Sequence, residues 1–197
     1  MLTYDEITKN EAIRTYILRA DESLAALGFT EHSFAHVAHV AETAGYLLHT
    51  LGYDERTVEL AKIAGYLHDI GNLVNRKDHA HTGAVMAWSI LNDMECDASE
   101  LATIVTAIGN HDESTGVPVN IVAAAMILAD KADVRRSRVR NTEISTFDIH
   151  DRVNYSVKKC RFQASFTVSA MEPAFFQSFR AFCSHVGYSS GVAGYAM

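Results

Sequence analysis

The spacing of apolar residues is what most constrains this chain. Apolar side chains recur every three or four residues, the period of a helix that buries one face, and long runs of strict alternation are rare. Only two prolines, Pro118 and Pro173, interrupt its 197 residues. The pattern predicts a first helix over residues 4–27, with a break near Lys9 and a stop at Gly28. A second starts after Thr30 as N-cap and ends at Gly52, carrying Val37, Val40, Ala44, Leu47 and Leu51 on one side. A third starts after Asp54 and ends at His68-Asp69, before Gly71. A loop over residues 72–77 leads to a fourth helix over 79–94, and a fifth follows over 99–110. After a turn-rich loop at 113–118, a sixth begins behind Asn120 and runs to about Val134. An all-α domain over residues 1–140 is therefore expected. Residues 141–197 form a C-terminal extension: a short helix or ordered loop over 147–157, a weak strand over 163–168, a helix over 173–185 and a fraying Gly- and Ser-containing tail.

A chain of this length buries a core without covalent staples. Its three cysteines, Cys96, Cys160 and Cys183, are far apart, odd in number and form no C-x-x-C pair, so reduced thiols in a cytoplasmic protein are expected. The first ten residues carry Asp5 and Glu6 and no apolar core, unlike a signal peptide. The longest apolar run, residues 121–129, is far short of a membrane span. A formal charge of −7 argues against general nucleic-acid binding, which uses a basic face.

Ten histidines is a high count, and their placement is informative. His36 lies in the first half of the second predicted helix, His68-Asp69 closes the third, His79 opens the fourth, His111 follows the fifth and Asp130 lies late in the sixth. Helix ends are where side chains from several helices can meet at one point. Imidazole with carboxylate suits Fe, Mn or Zn. An Asp next to a His can offer one oxygen to each of two ions, held about 3.5–4 Å apart in two-metal phosphoryl chemistry. Small residues accompany these positions: Ala61, Ala64 and Gly65 before His68, Gly83 and Ala87 after His79, and Ala107 before His111. Faces of this kind let helix backbones approach closely.

The pieces His36-x-x-His39-Val40-Ala41, Leu67-His68-Asp69-Ile70-Gly71, His79-x-x-x-Gly83-Ala84, Ala107-Ile108-x-x-His111 and Ile127-Leu128-Ala129-Asp130 stand in order over about half the chain. Together they resemble the HD-domain phosphohydrolase superfamily. The resemblance implies an HD-domain helical bundle around a metal site. It implies His36, His68, Asp69 and Asp130 as the minimal metal set, His79 and His111 as the extra histidines of binuclear members, and Asp69 as the bridging ligand. Two divalent or mixed-valence ions of Fe, Mn or Zn follow, with hydrolysis of a phosphate ester or anhydride by metal-activated water. Cyclic-dinucleotide hydrolases of the superfamily carry a His-His pair and a Gly-Tyr-Pro signature. Here the sequence reads His111-Asp112 and Gly116-Val117-Pro118, which is nearer to the bacterial enzymes that cleave diadenosine tetraphosphate symmetrically.

Asp69, His68 and Lys131 are the expected catalytic residues. Lys131, Arg135 and Arg136, from the basic run behind Asp130, are expected to hold substrate phosphate, because guanidinium groups match phosphate oxygens. His39 is expected at the same site, at a position where the superfamily usually has Arg. Asp112 and Glu113 are candidates to orient water or ligand, and His32 lies on the His36 side of its helix. The expected partner is a small phosphate substrate, a nucleotide or dinucleotide, with a homodimer plausible. Two other readings stand beside this one: a mononuclear nucleotidase or guanosine-alarmone hydrolase, and a nucleotide- or metal-binding sensor without turnover.

Overall fold

Capping residues delimit most of the helices. Thr3 accepts from Glu6 N while the Glu6 carboxylate accepts from Thr3 N, a reciprocal capping box that opens α1, Tyr4–Lys9. Asn10 ends α1 and its side chain accepts from Ala12 N and Ile13 N, opening α2, Glu11–Ala26. Ser33, Asp54, Asp97, Asn120 and Asp148 cap α3 (Phe34–Thr50), α4 (Glu55–Leu67), α6 (Ala98–Gly109), α7 (Ile121–Ala132) and α8 (Ile149–Ser156) in the same way. Helix α5 spans His79–Asp93, and short 3-10 turns lie at Ile70–Leu73, Arg136–Arg138 and Ile144–Thr146. The computed structural model describes residues 1–112, 114 and 116–157, which all lie in one compact unit. Among them no residue is in a strand, as the all-α expectation requires. The expected strand over 163–168, the helix over 173–185 and the tail lie outside the described residues. No described helix is long and apolar enough to cross a membrane.

The α3 start differs from the expectation at Thr30. The residues before Ser33 are held by distant groups: Glu31 N donates to Arg138 O at 2.8 Å, and His32 N donates to Asp21 Oδ1 at 2.8 Å. Thr30 O, which would accept the first helical bond, instead lies 2.7 Å from His32 Nδ1, and the cap is Ser33. At the same end of the bundle α7 stops at Ala132 rather than Val134, with Asp133 as its C-cap.

Helix α2 buries Ile13, Ile17, Ala20 and Leu24, an i, i+4, i+7, i+11 stripe. Helix α3 contacts both α4 and α7, and α4 also contacts α6. Helix α7 buries Val122 to Met126, Leu128 and Ala129, nearly all of its circumference, which fits a central element with neighbours on several sides. Two glycines set how closely backbones meet. A Cβ on Gly65 would stand 2.9 Å from Ala41 Cα, so α4 and α3 touch through their main chains there. A Cβ on Gly71 would stand 2.0 Å from His79 O and 2.4 Å from Gly83 N, so the turn after Asp69 lies directly on the start of α5. That contact brings His68-Asp69 and His79 to one end of the bundle.

Candidate metal centre

Five helix ends deliver the side chains. His36 sits in the first turn of α3, His68 caps the C-terminus of α4 with Asp69 next, His79 is the first residue of α5, His111 follows α6, and Asp130 lies in the last turn of α7. The four histidines are all at most 3% exposed.

Every one of the four histidines has its Nδ1 spoken for. His68 Nδ1 lies 2.8 Å from Gly65 O, His79 Nδ1 3.0 Å from Arg76 O, and His111 Nδ1 2.7 Å from Ile108 O. His36 Nδ1 lies 2.7 Å from Asp133 Oδ2. A carbonyl oxygen can only accept, so Nδ1 carries the hydrogen and a neutral ring keeps its Nε2 lone pair free. Those Nε2 atoms converge on Asp69, and its two oxygens divide them. Oδ2 lies 3.5 Å from His36 Nε2 and 3.2 Å from His68 Nε2, whereas Oδ1 lies 3.4 Å from His79 Nε2 and 3.8 Å from His111 Nε2. Asp130 Oδ1 joins the first pair, 3.4 Å from His36 Nε2 and 3.7 Å from His68 Nε2.

The donor set fits a metal. His36 Nε2 and His68 Nε2 are buried with no hydrogen-bond partner among the described residues. Such an orphaned atom costs about 1–3 kcal/mol unless something satisfies it, and a cation would satisfy both. The donor atoms of His36, His68 and Asp130 lie within 4.8 Å of one another, as do those of His68, Asp69 and His111. His79 adjoins the second group through Asp69 Oδ1 and through His111 Nε2, 3.2 Å away.

The charges are strongly coupled. Burial pushes the Asp69 carboxyl up, but the facing His68 and His32, with His111 and His36, outweigh it and hold it well below the usual carboxylate range. Asp130 is depressed likewise, burial being overcome by Lys131, His36 and His68. Burial and the Arg138 charge disfavour protonation of His36, yet the carboxylates of Asp130, Asp133 and Asp69 raise it. His111 is raised against burial chiefly by Asp69. His79 goes the other way, pushed down to about 4 by burial.

The six residues expected as ligands are thus brought together. The residues expected to hold substrate are not all beside them. Lys131 is at the rim, with Nζ 3.2 Å from Asp130 Oδ2. The Arg135 fork is taken by Asp133, with Nε at 2.6 Å and Nη2 at 2.9 Å, and Nη2 lies 3.4 Å from Glu31. Arg136 donates to Tyr155 O and lies over the Tyr155 ring, towards α8. His39 is half-exposed, with Nε2 3.9 Å from Asp133 Oδ1. Asp112 Oδ2 lies 3.5 Å from His79 Nδ1, and Glu113 lies outside the described residues.

Residue patterns do not single out Asn72 or Arg76, and they place Asp133 and Arg138 only within the charged run behind Asp130 that reads as a phosphate clamp. Asp133 is fully buried and holds His36 while also binding Arg135; its place three residues after Asp130, on the same side of α7, was the available signal. Asn72 Nδ2 donates to Asp69 Oδ1 at 2.8 Å. Arg138 is buried and donates to Asp133 O at 2.8 Å and Glu31 O at 2.9 Å. Arg76 stands in a loop, where no periodicity marks a direction.

Residues 33–139, over half of the chain, match the HD domain family. An uncharacterized protein of Methanocaldococcus jannaschii is 26% identical over 181 residues, covering 80% of this chain and 70% of that protein. Ribonuclease Y of Enterococcus faecalis is 31% identical over 141 residues, covering 68% of this chain and 25% of the ribonuclease, so the chain spans about a quarter of that relative's length. The crystal structure of a predicted HD superfamily hydrolase from an uncultured Thermotogales bacterium is similar with a TM-score of 0.50 and 25% identity, over 63% of this chain and 67% of that one.

Proposed function

The chain belongs to the HD domain family, and from that premise we propose that it is a metal-dependent phosphohydrolase with two ions of Fe, Mn or Zn, acting on a nucleotide or dinucleotide phosphate. The observation that carries the reading is the division of Asp69, whose two oxygens face different histidine pairs. His36, His68, Asp130 and Asp69 Oδ2 would hold one ion; His79, His111 and Asp69 Oδ1 would hold the other. Ions held there would supply Lewis-acid polarisation of a phosphoryl oxygen and acidification of a water molecule. The protein's own part is orientation and charge. The Gly65, Arg76 and Ile108 carbonyls and the Asp133 carboxylate fix the imidazole tautomers, and Asn72 holds Asp69 Oδ1. Lys131, beside Asp130 and partly exposed, places a positive charge where phosphate oxygens would arrive.

The substrate class rests on the His111-Asp112 and Gly116-Val117-Pro118 departures from the cyclic-dinucleotide pattern, which favour a dinucleoside polyphosphate. The similarity to ribonuclease Y favours a second reading, an RNA phosphodiester, against which stands the formal charge of −7. The test is turnover with added Mn²⁺, Fe²⁺ or Zn²⁺ on diadenosine tetraphosphate, a nucleoside monophosphate and a short oligoribonucleotide, alongside metal content per chain. The expected result is about two equivalents of metal, cleavage of the dinucleotide, and loss of both cleavage and metal in Asp69→Ala. No metal retained after reconstitution with each ion, and no turnover, would overturn the proposal.

A further inference from the structure

Four arginines or lysines lie close to the centre or its supports, and three are accounted for. Arg135 is neutralised by Asp133 and Glu31. Arg138 is buried and spends its guanidinium on Glu31 O and Asp133 O. Lys131 sits against Asp130 Oδ2. Arg76 remains. Its Nη1 lies 3.8 Å from Asp69 Oδ1 and 3.4 Å from His79 Nε2, on the Asp69 edge opposite to that facing Asp130. The side chain is 31% exposed, so the group reaches both the cluster and solvent.

We infer that Arg76 is a substrate-binding residue that clamps a non-bridging oxygen of the phosphate presented to this centre, an inference that rests on the phosphohydrolase reading. Three features argue for it. First, among the described residues the guanidinium has no carboxylate of its own. Asp69, its nearest, is shared with imidazoles on both oxygens and is bonded by Asn72. Second, its polar contacts are long and all pass through Nη1: 3.3 Å to Asn72 Oδ1, 3.4 Å to His79 Nε2 and 3.8 Å to Asp69 Oδ1. A guanidinium has five donors in a planar fork suited to phosphate oxygens, and this one keeps most of them for a ligand. A cation on His79 would repel it from Nε2 and strengthen its demand for an anion. Third, the group is supported. The Arg76 carbonyl accepts from His79 Nδ1 at 3.0 Å, tying its backbone to the centre, and the Phe29 ring lies under the guanidinium, 5.9 Å from its carbon. Arg76 thus places positive charge beside Asp69, as Lys131 does beside Asp130.

The test is calorimetric binding of inorganic phosphate to the metal-loaded full chain, with metal content measured on every sample. Wild type is compared with Arg76→Ala, Arg76→Lys and the exposed variant Arg19→Ala, whose side chain pairs with Glu22. The expected result is phosphate binding about 10- to 100-fold weaker in Arg76→Ala, the size of a charge-assisted hydrogen bond, with partial recovery in Arg76→Lys, no change in Arg19→Ala and full metal content throughout. Phosphate binding by Arg76→Ala within about twofold of wild type would overturn the role of Arg76 and leave the hydrolase reading intact. Loss of metal along with phosphate would also overturn it, showing that Arg76 serves His79 rather than substrate. A wild-type chain that retains no metal would instead defeat the hydrolase reading, and this inference with it.

Discussion

Replacing Asp133 with Asn should weaken metal binding more than its distance from the cluster suggests. Asp133 Oδ2 lies 2.7 Å from His36 Nδ1, and the same carboxylate takes Arg135 Nε at 2.6 Å and Nη2 at 2.9 Å. Its side chain is wholly buried, and Arg138 Nη1 stands 3.7 Å away. An amide of the same size has one accepting oxygen where the carboxylate has two. If that oxygen takes the Oδ2 place, it keeps His36 Nδ1 and Arg135 Nη2 but the NH₂ meets Arg135 Nε; if it takes the Oδ1 place, the NH₂ meets the Nδ1 hydrogen of His36 and Arg135 Nη2. Either way one donor meets another donor. Loss of a partner that orients a ligating histidine typically costs 10- to 100-fold in metal affinity, which is about 1.4–2.7 kcal/mol. The fold should lose less than a fully buried pair would, because the Arg135 side chain is 32% exposed and water can replace part of the bond; about 1–2 kcal/mol is expected. The assay is chelator competition for Mn²⁺ or Zn²⁺ with wild type and Asp133→Asn, with a thermal melt of each metal-free protein. A melting temperature that falls while metal affinity stays within about twofold would refute the reasoning. Asp133 would then be a fold residue only, and the tautomer of His36 would be set elsewhere.

Gly71→Ala would place a Cβ 2.0 Å from His79 O and 2.4 Å from Gly83 N, both backbone atoms that cannot rotate away. A destabilisation of about 1–3 kcal/mol, or roughly 2–12 °C in melting temperature, should come with reduced metal content, and an unchanged melt and metal stoichiometry would show that the turn does not depend on this contact. The pH dependence follows from His36, whose carboxylate neighbours raise it and so favour its protonated form in the metal-free chain. Its contribution to the metal-free fold is complete below the ordinary histidine value and is lost as pH rises through the raised one, whereas metal binding requires that proton to leave. Adding Mn²⁺ in weak buffer near pH 7 should therefore release protons, and the melting-temperature gap between loaded and metal-free protein should widen from about pH 6 to about pH 8; a constant gap without proton release contradicts the assignment.

Much of this architecture was legible one residue at a time. Asp54 and Asn120 cap the helices where a short polar side chain before an apolar stripe predicts it, because a cap bonds within two or three residues of itself. The helix periods placed His36, His68, Asp69, His79, His111 and Asp130 near helix ends, and those six do converge. Small residues foretold close backbone approach at Gly65 and Gly83, and the structure shows their partners to be Ala41 and Gly71. What misled was always long-range. Thr30 is as good a cap by type as Ser33, but the residues between them are held by distant groups, Glu31 N by Arg138 O more than a hundred positions along and His32 N by Asp21 Oδ1. The basic run after Asp130 reads as one phosphate clamp, yet Arg135 is claimed by Asp133, Arg138 by backbone carbonyls and Arg136 by Tyr155. Arg76, in a loop without period, reaches the centre instead. The sequence alone thus determined which residues lie at helix ends and which chemistry they can do, since those depend on local bonds and side-chain type. Only the tertiary structure decided which charges are spent on one another and which remain for a ligand, because neutralising a charge depends on what stands within a few ångströms in space.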